Sequence, residues 1–164
     1  MMKLPMISNG ALMSLKTISL LLCFLILFGC SPKAPPPNSS LSLKQLMEWV
    51  IDPHADVVWD SVKFISNKNG DTEIYPRSDE QWESVRNSSA TLIEAGNMLM
   101  VVGRSKDDQQ WIIYAHQLSQ TAELALKASI DKNKEALFDA GGNIYNACKA
   151  CHDKYADFDK PVAK

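Results

Sequence analysis

Residues 134–155 read KEALFDAGGNIYNACKACHDKY. Spaced at threes and fours, Leu137, Gly141, Ile144, Cys148, Cys151 and Tyr155 fall on one side of a helix of 3.6 residues per turn. The two thiols therefore continue an apolar stripe rather than projecting into solvent. Cys148 and Cys151 are i and i+3, Cys148 and His152 are i and i+4, so all three leave from the same face. Gly141-Gly142 inside this helix costs about 1 kcal/mol per glycine against Ala, and marks either a break or a close approach.

Cys-x-x-Cys-His is the spacing of c-type haem attachment: Cys148 and Cys151 add to the two vinyl groups and His152 gives a nitrogen to the iron. Two other chemistries use paired thiols. A redox dithiol is expected near a βαβ unit, and no such pattern precedes the motif. A structural zinc site takes four protein ligands, whereas the remaining cysteines, Cys23 and Cys30, lie in or beside an N-terminal targeting segment.

That segment opens with Lys3 and Lys16 and continues through the apolar run Ile18 to Phe28 to Gly29-Cys30, the layout of a secretory signal over residues 1–29. The run is shorter than the ~20 residues of a membrane span. Leu27-Phe28-Gly29-Cys30 resembles a bacterial lipoprotein box with Cys30 as the lipidated residue; simple cleavage near Gly29 is the other reading. Residues 30–40 then form a tether containing Pro35-Pro36-Pro37, a composition that favours extended polyproline. The expected location is the periplasmic side of a bacterial membrane, lipid-anchored, or soluble in the periplasm if Cys30 is unmodified. The net charge of −2 becomes −4 once residues 1–29 leave, which supports no nucleic-acid surface and favours partners with a basic face.

Residues 41–160 form the remaining domain. Helix 1 carries Leu43, Leu46, Met47, Val50 and Ile51, is interrupted by Asp52-Pro53, and is expected to kink or restart there before continuing through Val57, Val58, Ser61, Val62 and Ile65. Residues 66–78 read as loop. Ser78 and Gln81 form a capping box at the start of helix 2, whose face is Trp82, Val85, Ser89, Leu92, Gly96, Leu99 and Gly103. The small residues Ser89 and Gly96 admit either haem clearance or close helix packing. Helix 3 is expected from about Asp108 to Asn133, on Trp111, Ala115, Leu118, Ala122 and Ala125, and helix 4 from about Lys134. With no competing strand pattern, the expectation is an all-α antiparallel up-down-up-down four-helix bundle with covalently bound haem.

With Cys148, Cys151 and His152 on the last of four helices, the chain resembles the cytochrome c′ / cytochrome c-556 family, over about Leu41 to Tyr155. Tyr155 matches an aromatic common after the motif; Ala156 departs from the basic residue that often follows it. The resemblance implies one haem c, His152 as proximal iron ligand, and a role set by the opposite iron face. In the c-556 group a Met from helix 1 fills that face and the protein transfers electrons; in the c′ group the face is open and binds NO or CO. Met47 sits where the c-556 ligand would be, with His54 as rival. His116 reads as surface, Met98 and Met100 as core. Trp49, Trp59, Trp82 and Trp111 are candidates to wall the haem or fill the core, and Arg77, Arg86 and Arg104 to pair a propionate or face solvent. Members often dimerise through helices 1 and 2, so a homodimer is one expectation, alongside redox partner proteins and the membrane reached through Cys30. The reading is an electron carrier, not an enzyme. A gas-binding haem protein and a non-haem envelope lipoprotein with a structural or redox-active thiol pair are the alternatives.

Overall fold

The computed structural model describes residues 39–156, apart from Asp108. The signal segment 1–29, Cys30 and most of the tether at 30–40 lie outside the described residues.

Four helical rods and one hairpin make up the described chain. The first rod, α1, runs Leu43–Leu46, passes through a π turn at Met47–Ile51 and resumes as Asp52–Ser61. Ser42 and Gln45 form a reciprocal capping box at its start, satisfying two otherwise orphaned backbone donors. Pro53 explains the π turn. Its ring has no N–H and collides with the carbonyl four residues back in a regular helix; widening the preceding turn, with the Asp52 N–H bonded to the Met47 carbonyl five residues back, opens that space. The chain neither kinks out of helix nor restarts: Ile51 and Asp52 both keep right-handed helical angles.

Helix 1 is shorter than its apolar spacing predicts. Val62 is extended (φ −134, ψ 125), and β1 (Lys63–Asn67) pairs antiparallel with β2 (Gly70–Ile74). Gly70 has φ +115, a conformation glycine adopts without the Cβ penalty. The expected loop at 66–78 is thus largely a hairpin. It is anchored by Phe64 on Phe138 (ring centroids 5.0 Å apart) and by the Lys134–Glu73 ion pair.

α2 (Asp79–Leu99) starts at the Ser78–Gln81 capping box anticipated from sequence. α3 covers Gln110–Ile130 and α4 Lys134–Tyr155. α2 packs along α3, α3 along α4, and the Asp52–Ser61 part of α1 touches both α2 and α4. The core is formed by Leu46, Val58, Val85, Leu92, Leu137 and Ile144, with the alanines of α3 (115, 122, 125, 128) letting the neighbouring helices come close. Every helix 2 stripe residue from Trp82 to Leu99 is buried; Gly103 falls past the helix end, exposed, with φ +89.

Small residues take their meaning from α3. A Cβ built on Gly96 would stand 2.1 Å from Ser119 Oγ and 2.7 Å from the Ala115 carbonyl oxygen. Gly96 therefore serves close helix packing, and Ser89 donates to the Val85 carbonyl of its own helix. Helix α4 runs unbroken across Gly141-Gly142: Gly141 faces Trp59, whose Nε1 donates to the Gly141 carbonyl at 3.0 Å, while Gly142 has nothing within 4 Å of where its Cβ would be.

Candidate functional site

A cavity of about 520 Å³ opens between α1 and the C-terminal half of α4, within the 300–1,000 Å³ range of cofactor and small-ligand sites. Met47, Ile51, Ala55 and Trp59 line it from α1; Cys148, Cys151 and His152 line it from α4. Leu99 closes it from α2, Tyr114 and Leu118 from α3, and Tyr145 from α4. Met47 and the motif Cys148-x-x-Cys151-His152, far apart in sequence and singled out for one chemistry, thus share one cavity.

Local structure accounts for the placement. α4 is capped by Asn133, whose side chain accepts from the Ala136 N–H at 2.9 Å. Fully buried Ile144 fixes its rotation, so positions 148 and 151, four and seven residues on, return to the inner face. On α1 the cavity residues are spaced at fours: 47, 51, 55 and 59. Strict fours drift around a regular helix by about 40° per step, and the π turn at Met47–Ile51 absorbs part of that drift, keeping Met47 on the face of Ile51 and Ala55.

Burial pushes the Cys148 thiol up to about 11, with the neighbouring Cys151 and Asp52 adding to the effect, and burial also raises Cys151. Both are protonated thiols at neutral pH. A dithiol built for exchange has a depressed attacking pKa, so this environment does not suit redox exchange. Among the described residues no group of three or more His, Cys, Asp or Glu is arranged to hold a metal ion, so a four-ligand zinc site is not assembled there. The site does fit a large apolar ring with one pendant imidazole: its walls are aliphatic and aromatic, and its charged groups, Glu48, Asp52, Lys149 and Asp153, are all exposed. Lys149 is paired with Asp153 at 2.5 Å and Glu48 with Lys44 at 3.5 Å.

The other sequence candidates divide clearly. His54 is half-buried and His116 exposed, and neither lines the cavity. Met98 is exposed, against the expectation of a core residue, whereas Met100 packs on the core. Of the tryptophans, Trp59 walls the cavity, Trp82 and Trp111 are core, and Trp49 is exposed. None of the three arginines reaches the cavity: Arg77 lies over the Tyr75 ring at 4.4 Å, Arg86 pairs with Glu83 at 2.7 Å, and Arg104 donates to the carbonyls of Met98 (2.8 Å) and Leu41 (2.9 Å). Tyr155 packs edge-on against Trp111 and Tyr114 and its hydroxyl donates to Asp107. That bond, with the Trp111 N–H and Lys154, holds the Asp107 carboxyl down at about 2. Tyr114 and Tyr145 were not anticipated; each sits one position from a buried stripe residue (Ala115, Ile144), at the edge where a cavity meets the core.

Comparison with protein-family models, curated proteins and solved structures returned no match. Among the described residues no helix is long and apolar enough to cross a membrane.

Proposed function

We propose that the chain is a c-type haem protein of the bacterial cell envelope, one that carries electrons. A single observation carries the reading: the thiols and imidazole of Cys148-x-x-Cys151-His152 open into the same cofactor-sized cavity as Met47. In this reading the helices complete an antiparallel four-helix bundle like that of the cytochrome c′ / c-556 class, supported by the packing of α1 on both α2 and α4.

Cys148 and Cys151 would hold one haem c through thioether bonds and His152 would hold the iron from the α4 side. Met47 would offer its thioether sulfur from the α1 side, where the c-556 resemblance expects it. Haem bound this way supplies one-electron cycling between Fe(II) and Fe(III) at a potential set by axial ligands and burial. Ile51, Ala55, Leu118 and Trp59 exclude water from that space. At the rim three carboxylates, Glu48, Asp52 and Asp153, stand against one ammonium, Lys149, which favours a redox partner with a basic docking face.

The test is the absorption spectrum of the matured protein and of Met47→Ala. Sharp ferrous α and β bands with a weak ferric band near ~695 nm mark His/Met ligation, which raises the potential in c-type centres. Met47→Ala should turn high-spin and bind CO readily. A high-spin wild-type spectrum selects the gas-binding reading instead. Haem removed by acid-acetone would refute both, and His152→Ala should abolish normal haem maturation under either.

A further inference from the structure

A second cavity, of about 630 Å³, lies on the seam between α1 and α4. Buried Val58, Val62 and Leu137 line it together with three rings, Trp59, Phe138 and Tyr145. Trp59 and Tyr145 also line the first cavity, and their rings meet edge to face with centroids 6.3 Å apart. One layer of aromatic side chains is thus common to the cofactor-sized cavity and to this depression. Two of the rings are held: Trp59 by its bond to the Gly141 carbonyl, and Phe138 by Phe64 of the hairpin. Tyr145 is nevertheless 56% exposed and Phe138 49% exposed, so the rings reach solvent. Gly142 lines the same depression with nothing within 4 Å of where its Cβ would be, which leaves room for an incoming side chain.

The charges along the seam are mostly of one sign. The two cavities are lined by four carboxylates, Glu48, Asp52, Asp139 and Asp153, and by one ammonium, Lys149. Glu48 pairs with Lys44 and Asp153 with Lys149, whereas Asp52 and Asp139 pair with no cation among the described residues. Of the cations that flank the seam, Lys63 pairs with Asp60 and Lys134 with Glu73. A second copy of the chain would bring this acidic surface against itself, and like-charge juxtaposition is unfavourable. A basic surface is its complement.

We propose that the depression beside Gly142 and Tyr145 is the docking site of a basic redox protein, which seats an apolar side chain there and sets cations against Asp52 and Asp139. The proposal rests on the electron-carrier reading and adds the place where the electron crosses. One electron passes between the haem iron and the partner's redox centre by way of Trp59 and Tyr145; one centre is oxidised, the other reduced, and no bond is made or broken. Transient redox encounters bury less than about 1,200 Å², so a depression with a charged rim is a sufficient footprint.

The test uses the processed, haem-loaded chain and, as partner, a mitochondrial cytochrome c, a strongly cationic haem protein. Stopped-flow absorbance gives the second-order electron-transfer rate in the downhill direction. The rate should be high at low salt and fall as salt screens the encounter. Asp139→Lys should lower the low-salt rate roughly fivefold, the effect of one close contact between unit charges in water. Glu123→Lys makes the same change of charge at an exposed position of α3 that lines neither cavity, and should leave the rate nearly unchanged. Gly142→Leu, which fills the depression, should lower the rate by a factor similar to Asp139→Lys with the haem spectrum unaltered. Equal effects of Asp139→Lys and Glu123→Lys, or a rate indifferent to Gly142→Leu, overturn the proposal. So does a wild-type dimer in sedimentation that Gly142→Leu dissociates, which would make a second copy the occupant. Amide NMR reads docking without electron transfer: the cationic protein should shift the signals of residues 138–146 and leave those of 120–127 in place. If the chain holds no haem, the electron-carrier reading fails on the spectrum, while docking stands or falls on these shifts.

Discussion

Gly96→Ala measures how tightly α2 and α3 are joined. The added methyl would lie 2.1 Å from Ser119 Oγ, 2.7 Å from the Ala115 carbonyl oxygen and 3.3 Å from Ser119 Cβ, where ordinary contact begins near 3.4 Å. The serine hydroxyl can rotate away, but doing so gives up its bond to the Ile93 carbonyl at 2.9 Å, a loss of about 1 kcal/mol. The Ala115 carbonyl is helix backbone and cannot rotate. Relief requires the helices to part by several tenths of an ångström along the seam of Leu92, Ala95, Ala115 and Ala122. A gap of 0.5–1 Å forfeits a quarter to a half of each dispersion contact, and overpacking of this kind costs about 1–3 kcal/mol. Against these losses stands the ~1 kcal/mol by which Ala exceeds Gly in a helix. The net expectation is a destabilisation of about 2 kcal/mol, read in urea as a midpoint lowered by roughly 1 M at the slopes usual for small domains. Gly142→Ala is the matched control: nothing lies within 4 Å of its Cβ, so only the propensity gain remains and the midpoint should rise. Adding Ser119→Ala to Gly96→Ala should recover part of the loss, because it removes the hydroxyl but leaves the carbonyl. A neutral or stabilising Gly96→Ala would refute the close α2–α3 approach.

Two further outcomes follow from contacts around the cavity. Asp107 has its carboxyl held down at about 2, first by the Tyr155 hydroxyl; because the folded value is depressed, its contribution to stability is full above the ordinary carboxylate range and is lost as pH falls from near 4 through about 2. Tyr155→Phe should move the Asp107 titration upward, seen by carboxyl-carbon NMR, and make acid unfolding begin at higher pH; an unmoved titration would remove Tyr155 as its main partner. Trp59→Phe removes the donor to the Gly141 carbonyl and should cost about 1 kcal/mol in urea unfolding while leaving the far-ultraviolet helix signal intact. An unchanged midpoint would mean that this bond adds nothing.

Helix rotation was legible in the sequence because burial is periodic. Trp82 to Leu99 and Trp111 to Ala125 face inward as their spacing predicts, and Ser78 with Gln81 marked the start of α2 correctly. The cavity was legible in part for the same reason: Cys148 and Cys151 extend the stripe of Ile144, and Met47 extends that of Ile51. The hairpin was not, because all ten of its strand residues are exposed and no face alternates between core and solvent. Its one local signal was Asn69-Gly70 between the β-rich runs Phe64-Ile65 and Thr72-Glu73-Ile74. Apolar spacing alone extended helix 1 to Ile65, whereas Val62 already turns out of the helix. The contribution of Trp59, Tyr114 and Tyr145 depends on which helix lies opposite, and that is tertiary information.

The π turn also makes the first helix tolerant of a change in length. It holds one more residue than a regular turn, so losing a single residue between 47 and 51 would return that turn to ordinary winding and be absorbed there. Leu43 and Leu46 on one side, and Ala55, Val58 and Trp59 on the other, would stay close to their present faces. The helix that walls the cavity could therefore change by one residue in length with no substitution in the core.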